Sequence, residues 1–134
     1  MHGSKAFELN VDIDSPNRNI APITSQINDN NKLVVGGCEV SDLAKKFGTP
    51  LYVLDELSIR TACKTYISSL KKHYPGESLP LYASKANSSL ALCAVIASEG
   101  FGLDAVSEGE LLTALKGGVR GENIVFHGNN KSRD

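Results

Sequence analysis

The sequence contains no hydrophobic run that approaches the roughly 18 to 20 residues needed to span a bilayer. The initial segment MHGSKAFELN lacks the apolar core of a secretory signal, and the early acidic residues are unlike a transit peptide. An excess of basic residues is also missing, because the formal net charge is −1. No positive field would therefore attract the chain to nucleic acid or to an anionic membrane. We expect neither as a partner.

Cysteine is scarce and irregularly spaced. The three cysteines are Cys38, Cys63 and Cys93, and no two of them form a CxxC pair. An odd, widely spaced set predicts neither a disulfide framework nor a zinc site, and it is typical of reduced thiols in the cytoplasm. Because the helical neighbours of Cys63 and Cys93 are apolar, we expect both thiols to face a core.

The composition is otherwise ordinary for a soluble globular domain, with 134 residues, 41% hydrophobic and 22% charged. The exception is the segment 10–32, which is rich in Asn, Asp, Ser, Pro and Gln and poor in large apolar side chains. Such a segment buries too little surface to offset its ordering entropy. We predict that residues 1–32 form a mobile leader and that order begins at Leu33, in the run KLVVGG.

Beyond this run, apolar strands and helical patterns alternate. Ser41 is predicted to cap a short helix that Gly48 ends, and Asp55 is predicted to cap a long helix that ends at Pro75. A further helix opens with a capping box from Ser107 to Glu110. Short apolar strands are predicted to begin near residues 51, 80, 101 and 123.

This alternation predicts an α/β fold with parallel strands and right-handed crossovers. A Rossmann-like sheet and a barrel both begin in this way, but no GxGxxG motif follows any predicted strand. Four strands are half of a (β/α)8 barrel, which has about 250 residues. We predict that residues 33–50 lead into the barrel and that residues 51–134 form its first half, truncated after the fourth strand.

Three polar residues follow the predicted strands at their carboxyl ends, where parallel α/β folds gather their working groups: Lys85, Asp104 and His127. Strand alternation places Lys85 on one face with Leu81 and Ala83. It places Asp104 and His127 opposite the bulkier apolar residues of their strands. Those apolar faces should pack under the helices, so Asp104 and His127 are expected to point into the barrel, and Lys85 can point inward too, at its mouth.

A lysine at the end of a barrel strand suits Schiff-base chemistry, provided that its amine is fixed in place and partly desolvated. The residues alone leave simpler alternatives open. Lys85 is then a solvated loop lysine, Asp104 a structural carboxylate bonded to backbone amides, and His127 a core histidine followed by a polar turn in which Gly128 takes a positive φ.

Four segments, in this order and spacing, resemble the barrel start of the diaminopimelate decarboxylases: FGTPLYVLD, YASKAN, GLDAVSEGEL and FHGNNKS. These enzymes belong to the alanine-racemase-like class of pyridoxal phosphate (PLP) enzymes. The resemblance runs from about Leu33 to Asp134. It implies that Lys85 holds PLP as an internal aldimine and that Asp104 and His127 lie close to the cofactor. The implied reaction is decarboxylation of meso-diaminopimelate to L-lysine in a cytoplasmic homodimer.

The sequence departs from the family in what it lacks. The other barrel strands, the glycine-rich phosphate site, the acidic partner of the pyridine nitrogen and the carboxy-terminal β-domain have no counterpart here. KLVVGG resembles the strand that joins that β-domain, so it is expected to be unpaired. The 134-residue chain alone is expected to be inactive. Two alternatives stay open: a decarboxylase of another diamino acid or of a carboxylated polyamine, and a non-catalytic truncated product.

Overall fold

A computed structural model describes residues 20–128, 131 and 132, and it divides the chain into two compact units, residues 1–59 and 60–134. In these described residues no helix has both the length and the apolarity needed to cross a membrane. The elements, in chain order, are β1 (Gln26–Ile27), β2 (Leu33–Val35), β3 (Cys38–Glu39), α1 (Val40–Phe47), α2 (Glu56–His73), β4 (Leu81–Ala83), α3 (Leu90–Ser98), β5 (Gly102–Ala105), α4 (Glu108–Lys116) and β6 (Ile124–Phe126).

The first unit contains a small antiparallel sheet in which β2 lies between β1 and β3. The expectation that the KLVVGG strand is unpaired is therefore wrong, since both of its edges are hydrogen-bonded. Order also begins before Leu33, because β1 lies at Gln26–Ile27, whereas residues 1–19 of the predicted leader lie outside the described residues. The reason is local, because the Asn28 side chain accepts the backbone N–H of Asn30 at 3.1 Å and that of Lys32 at 2.9 Å. These bonds close the turn that brings β1 onto β2.

The N-cap of helix α1 lies two residues earlier than the sequence predicts. Its N-cap position is Glu39, and the Ser41 hydroxyl donates to the Glu39 carboxylate instead of capping the helix. The predicted end is confirmed. Gly48 has a φ of 82°, a conformation that favours glycine, and its N–H donates to Ala44 O at 2.9 Å.

The predicted strand at residues 51–54 does not form. These residues are not in a strand, and all four side chains are exposed, that of Tyr52 by 95%. A β-strand needs a neighbouring strand for its backbone hydrogen bonds, and no strand pairs with this segment in the described part of the chain. An apolar run predicts strand propensity, but it does not supply the partner.

Asp55 caps α2 as predicted. Its carboxylate accepts the backbone N–H of Ser58 at 3.1 Å and also the Ser58 hydroxyl. Burial acts to raise the pKa of Asp55, but hydrogen bonds from Ser58 and Thr24 outweigh it and hold that pKa below its ordinary value. The predicted apolar face of α2 is only partly covered, because Cys63 is buried whereas Tyr66 and Tyr74 are exposed.

The second unit is built on a parallel sheet in the order β4-β5-β6. Its hydrophobic core lies between this sheet and the helices α3 and α4, and it consists of Cys93, Leu103, Ala105, Ala114 and Val119. The capping box at the start of α4 is confirmed, with Ser107 and Glu110 exchanging backbone and side-chain hydrogen bonds. Parallel strands alternating with helices confirm the α/β class.

The three thiols should differ in reactivity. Cys63 and Cys93 are buried as predicted, and burial raises the pKa of each thiol, whereas Cys38 is exposed. Because the thiolate is the reactive form, we expect a water-soluble disulfide reagent at pH 8 to label Cys38 first and the other two only on unfolding. Peptide mapping after a short exposure checks this. Rapid labelling of Cys93 in the native protein would contradict the described core.

Candidate functional site

The carboxyl ends of β4, β5 and β6 bring together the segments that carry Lys85, Asp104 and His127. In the register of the sheet Ala83 pairs with Asp104, and Asp104 pairs with Val125. Lys85 follows the last residue of β4 by two positions, and His127 follows β6 directly. The three residues therefore lie at one edge of the sheet, as the sequence predicts for a parallel α/β fold.

The predicted orientation of Lys85 is not what the structure has. The chain leaves the strand at Ala83 and forms a 3₁₀ turn over Ser84–Ala86. The alternation of a strand cannot extend to Lys85, which therefore shares no strand face with Leu81 and Ala83. Lys85 is exposed in the described residues, whereas Schiff-base chemistry is expected to need a partly enclosed side chain.

Asp104 and His127 do share a face. Asp104 Oδ1 lies 2.5 Å from His127 Nδ1, and the two side chains are 27% and 55% exposed. The neighbouring residues Leu103 and Ala105 are fully buried in the core on the other side of the sheet. The alternation predicted for β5 is thus confirmed. It places the carboxylate and the imidazole on the face of the sheet opposite this core, which we call the open face.

The short contact restricts the protonation of the imidazole. An ionised carboxylate can only accept a hydrogen bond, so Nδ1 of His127 must carry the proton that Asp104 accepts. In the neutral imidazole, Nε2 is then left as a hydrogen-bond acceptor. A carboxylate that holds one ring nitrogen of a histidine in this way sets both the tautomer and the orientation of the ring.

Gly102 lies two residues before Asp104 on the same face, and it allows a close approach of the strands. A Cβ atom at this position would lie 2.2 Å from the carbonyl oxygen of Asn123, directly before β6, and 2.6 Å from a methyl group of Leu81 in β4. Only glycine fits between the two neighbouring segments without displacing them. The spacing between Asp104 and the strand that leads to His127 therefore depends on Gly102.

Two residues beside Lys85 were missed by the sequence analysis. Ser84 is 1% exposed, and its hydroxyl donates to the backbone carbonyl of Asp104 at 2.8 Å. The Tyr82 hydroxyl donates to the carbonyl of Asn87 at 3.1 Å, across the turn. Both lie inside the YASKAN segment, but nothing in its spacing indicates the Ser84 bond to β5 or the Tyr82 bond across the turn.

Comparison with known proteins shows the family to which this stretch of sequence is similar. The family model of the pyridoxal-binding domain of pyridoxal-dependent decarboxylases matches residues 58–134. Diaminopimelate decarboxylase from Synechocystis is 48% identical over 126 residues, which are 88% of this chain and 27% of the relative. The crystal structure of diaminopimelate decarboxylase from M. jannaschii is 38% identical with a TM-score of 0.75, over 83% of this chain and 26% of that chain.

A second crystal structure of the M. jannaschii enzyme, in complex with L-lysine, matches with 39% identity and a TM-score of 0.74. This match covers 81% of the present chain and 26% of the chain in the L-lysine complex. The chain thus spans about a quarter of the length of the relatives that it matches. Over that quarter the parallel α/β architecture is that of a PLP barrel. Because the family model covers more than half of the sequence, the chain belongs to the pyridoxal-dependent decarboxylases, as part of their pyridoxal-binding domain.

Proposed function

We propose that the full-length protein, meaning the product of the whole reading frame, is a PLP-dependent decarboxylase that converts meso-diaminopimelate to L-lysine. The observation that carries the proposal is the position of Lys85 within the matched pyridoxal-binding domain, at the carboxyl end of β4 and on the same edge of the sheet as the Asp104–His127 pair. The choice of substrate is supported by the similar proteins, which are named diaminopimelate decarboxylases and include a complex with L-lysine.

The side chains at this edge fit the chemical needs of the cofactor. Lys85 offers a primary amine that is accessible to an aldehyde, and we propose that it holds PLP covalently. Asp104 and His127 offer a carboxylate and an imidazole on the open face of the sheet. PLP, when bound, supplies the electron sink that makes loss of carbon dioxide possible.

We propose that Asp104 orients His127 for hydrogen bonding at the cofactor side of the site. The Nδ1–H to carboxylate bond leaves Nε2 as an acceptor on a half-exposed ring. The role of the protein is then to place the bond that breaks and to hold the groups that exchange a proton. A homodimer in the cytoplasm is proposed on the resemblance to the family alone.

Production of L-lysine tests the proposal. The purified full-length protein with PLP should release carbon dioxide from meso-diaminopimelate and form L-lysine, with a kcat/KM at least about tenfold above those for L-ornithine and L-arginine. Preference for either of these, or for a carboxylated polyamine, would show that the proposed substrate is wrong, whereas the proposed cofactor would stand.

The 134-residue chain, assayed under the same conditions, is the comparison for the activity of the full-length protein. Lys85 is exposed and the carboxylate and imidazole face is open, so the chain alone cannot exclude water from the site. We expect it to release no carbon dioxide above background under the same conditions. Turnover comparable with that of the full-length protein would show that residues 1–134 contain all that catalysis needs.

A further inference from the structure

Two hydrogen bonds enclose the turn that carries Lys85. On one side the buried hydroxyl of Ser84 donates to the carbonyl of Asp104 at 2.8 Å. On the other side the hydroxyl of Tyr82 donates to the carbonyl of Asn87 at 3.1 Å. Burial raises the pKa of Tyr82, so this phenol stays protonated and keeps its donor. Ser84 precedes Lys85 directly, so its bond restrains the backbone from which the lysine side chain extends.

The Ser84 bond links the lysine to the other two site residues. Its acceptor is the backbone of Asp104, whose carboxylate binds His127. The backbone N–H of His127 donates to the next carbonyl of β5, that of Ala105, at 3.0 Å. Two successive carbonyls of β5 thus hold the segments that carry Lys85 and His127.

We propose that Ser84 is a positioning residue for Lys85: its hydroxyl ties the lysine-bearing turn to the strand that carries Asp104, and so fixes the amine relative to the Asp104–His127 pair. This inference rests on the proposed function, in which Lys85 holds PLP. Ser84 acts through the backbone and touches neither cofactor nor substrate.

The effect of losing the Ser84 bond on PLP attachment and kcat is expected to be large, because the flexible lysine side chain does not fix the position of its own amine. A lysine amine sits on a flexible chain of four carbons, so its mean position is set by the backbone at its root. A displacement of about 1 Å in a catalytic group can reduce a rate by about 100-fold. Loss of the Ser84 bond frees the turn from β5 while leaving the amine itself unchanged.

The test compares Ser84→Ala, Ser84→Thr and Ser98→Ala in the full-length protein. Ser98 is the control for loss of a serine hydroxyl away from the Lys85 turn: this exposed side chain donates to the backbone carbonyl of Val95 at 2.7 Å and accepts from Arg60 at 2.8 Å. The first readout is the rate at which PLP attaches to Lys85 in the cofactor-free protein, trapped with borohydride and mapped by mass spectrometry. The second is kcat and KM well below the melting temperature.

Ser84→Ala should slow attachment and lower kcat by about tenfold or more with little change in KM, and Ser84→Thr should recover most of the loss. Ser98→Ala should match the wild type in both readouts. If the buried methyl group of threonine prevents folding, Ser84→Cys keeps the volume with a weaker donor and should fall between serine and alanine.

Wild-type attachment and kcat in Ser84→Ala or Ser84→Cys, even with a lower melting temperature, would overturn the positioning role and leave Ser84 a structural residue. That result is distinct from failure of the proposed function. In the latter case the wild-type protein itself would acquire no pyridoxyl group at Lys85.

Discussion

Replacement of Lys85 by alanine in the full-length protein should reduce kcat for decarboxylation by at least about 10²- to 10⁴-fold, the range that one positioned proton-transfer group contributes. We expect more than the lower limit, because the substitution also removes the covalent attachment that we propose for PLP. The fold should be unaffected, since Lys85 is exposed and changes at exposed positions usually alter stability by less than about 0.5 kcal/mol. Steady-state kinetics and thermal unfolding measure the two effects separately.

Lys116→Ala is the matched control for this change. Lys116 is also exposed, but it lies in the last turn of α4, away from the carboxyl edge of the sheet. Its loss should leave kcat within about twofold of the wild type. Equal activity of Lys85→Ala and Lys116→Ala would make Lys85 a solvated loop lysine, which is the simpler interpretation that the sequence leaves open.

The second large effect is expected on stability. Gly102→Ala should destabilise the protein by about 1–3 kcal/mol or more, the usual range for overpacking a filled site. The new methyl group would lie 2.2 Å from the Asn123 carbonyl oxygen, which belongs to the backbone and cannot rotate away as a flexible side chain can. Separation of β5 from β6 would also disturb the Asp104–His127 contact, so kcat should fall. Denaturant unfolding and steady-state kinetics provide the measurements.

Gly109→Ala separates the steric cause from the general effect of replacing glycine. A Cβ atom at Gly109 meets no heavy atom within 4 Å, and the residue lies in α4. Alanine there should be neutral or stabilise by up to about 1 kcal/mol. If Gly102→Ala unfolds at the same denaturant concentration as the wild type, the strands do not approach each other as closely as described.

The sequence predicts the second unit better than the first for a physical reason. In β5, the alternation of Leu103 and Ala105 with Asp104 follows from the pleat of a single strand, and the structure confirms it. The capping box and the helix stops are also local. Pairing of a strand depends on a distant segment, so an apolar composition could not show that residues 51–54 have no partner within the described residues.

The site itself is partly predictable. In parallel α/β folds the functional residues follow the carboxyl ends of the strands. This predicts one edge of the sheet for Lys85, Asp104 and His127, because it depends only on the parallel order of the strands. The predicted orientation of Lys85 is wrong because β4 ends at Ala83 and a 3₁₀ turn follows, so the alternation of the strand stops two residues before the lysine. The bond from Ser84 to Asp104 crosses between strands and leaves no periodic signal in the sequence.

The central claim is that Lys85 carries the cofactor, and the most direct measurement is chemical. Borohydride converts the bond between PLP and a lysine amine into a stable one, after which proteolysis and mass spectrometry identify the labelled residue. The full-length protein, treated with one equivalent of PLP, should yield a single pyridoxyl peptide that contains Lys85. A label on Lys64, Lys116 or Lys131 instead, or one spread over several lysines, would contradict the assignment.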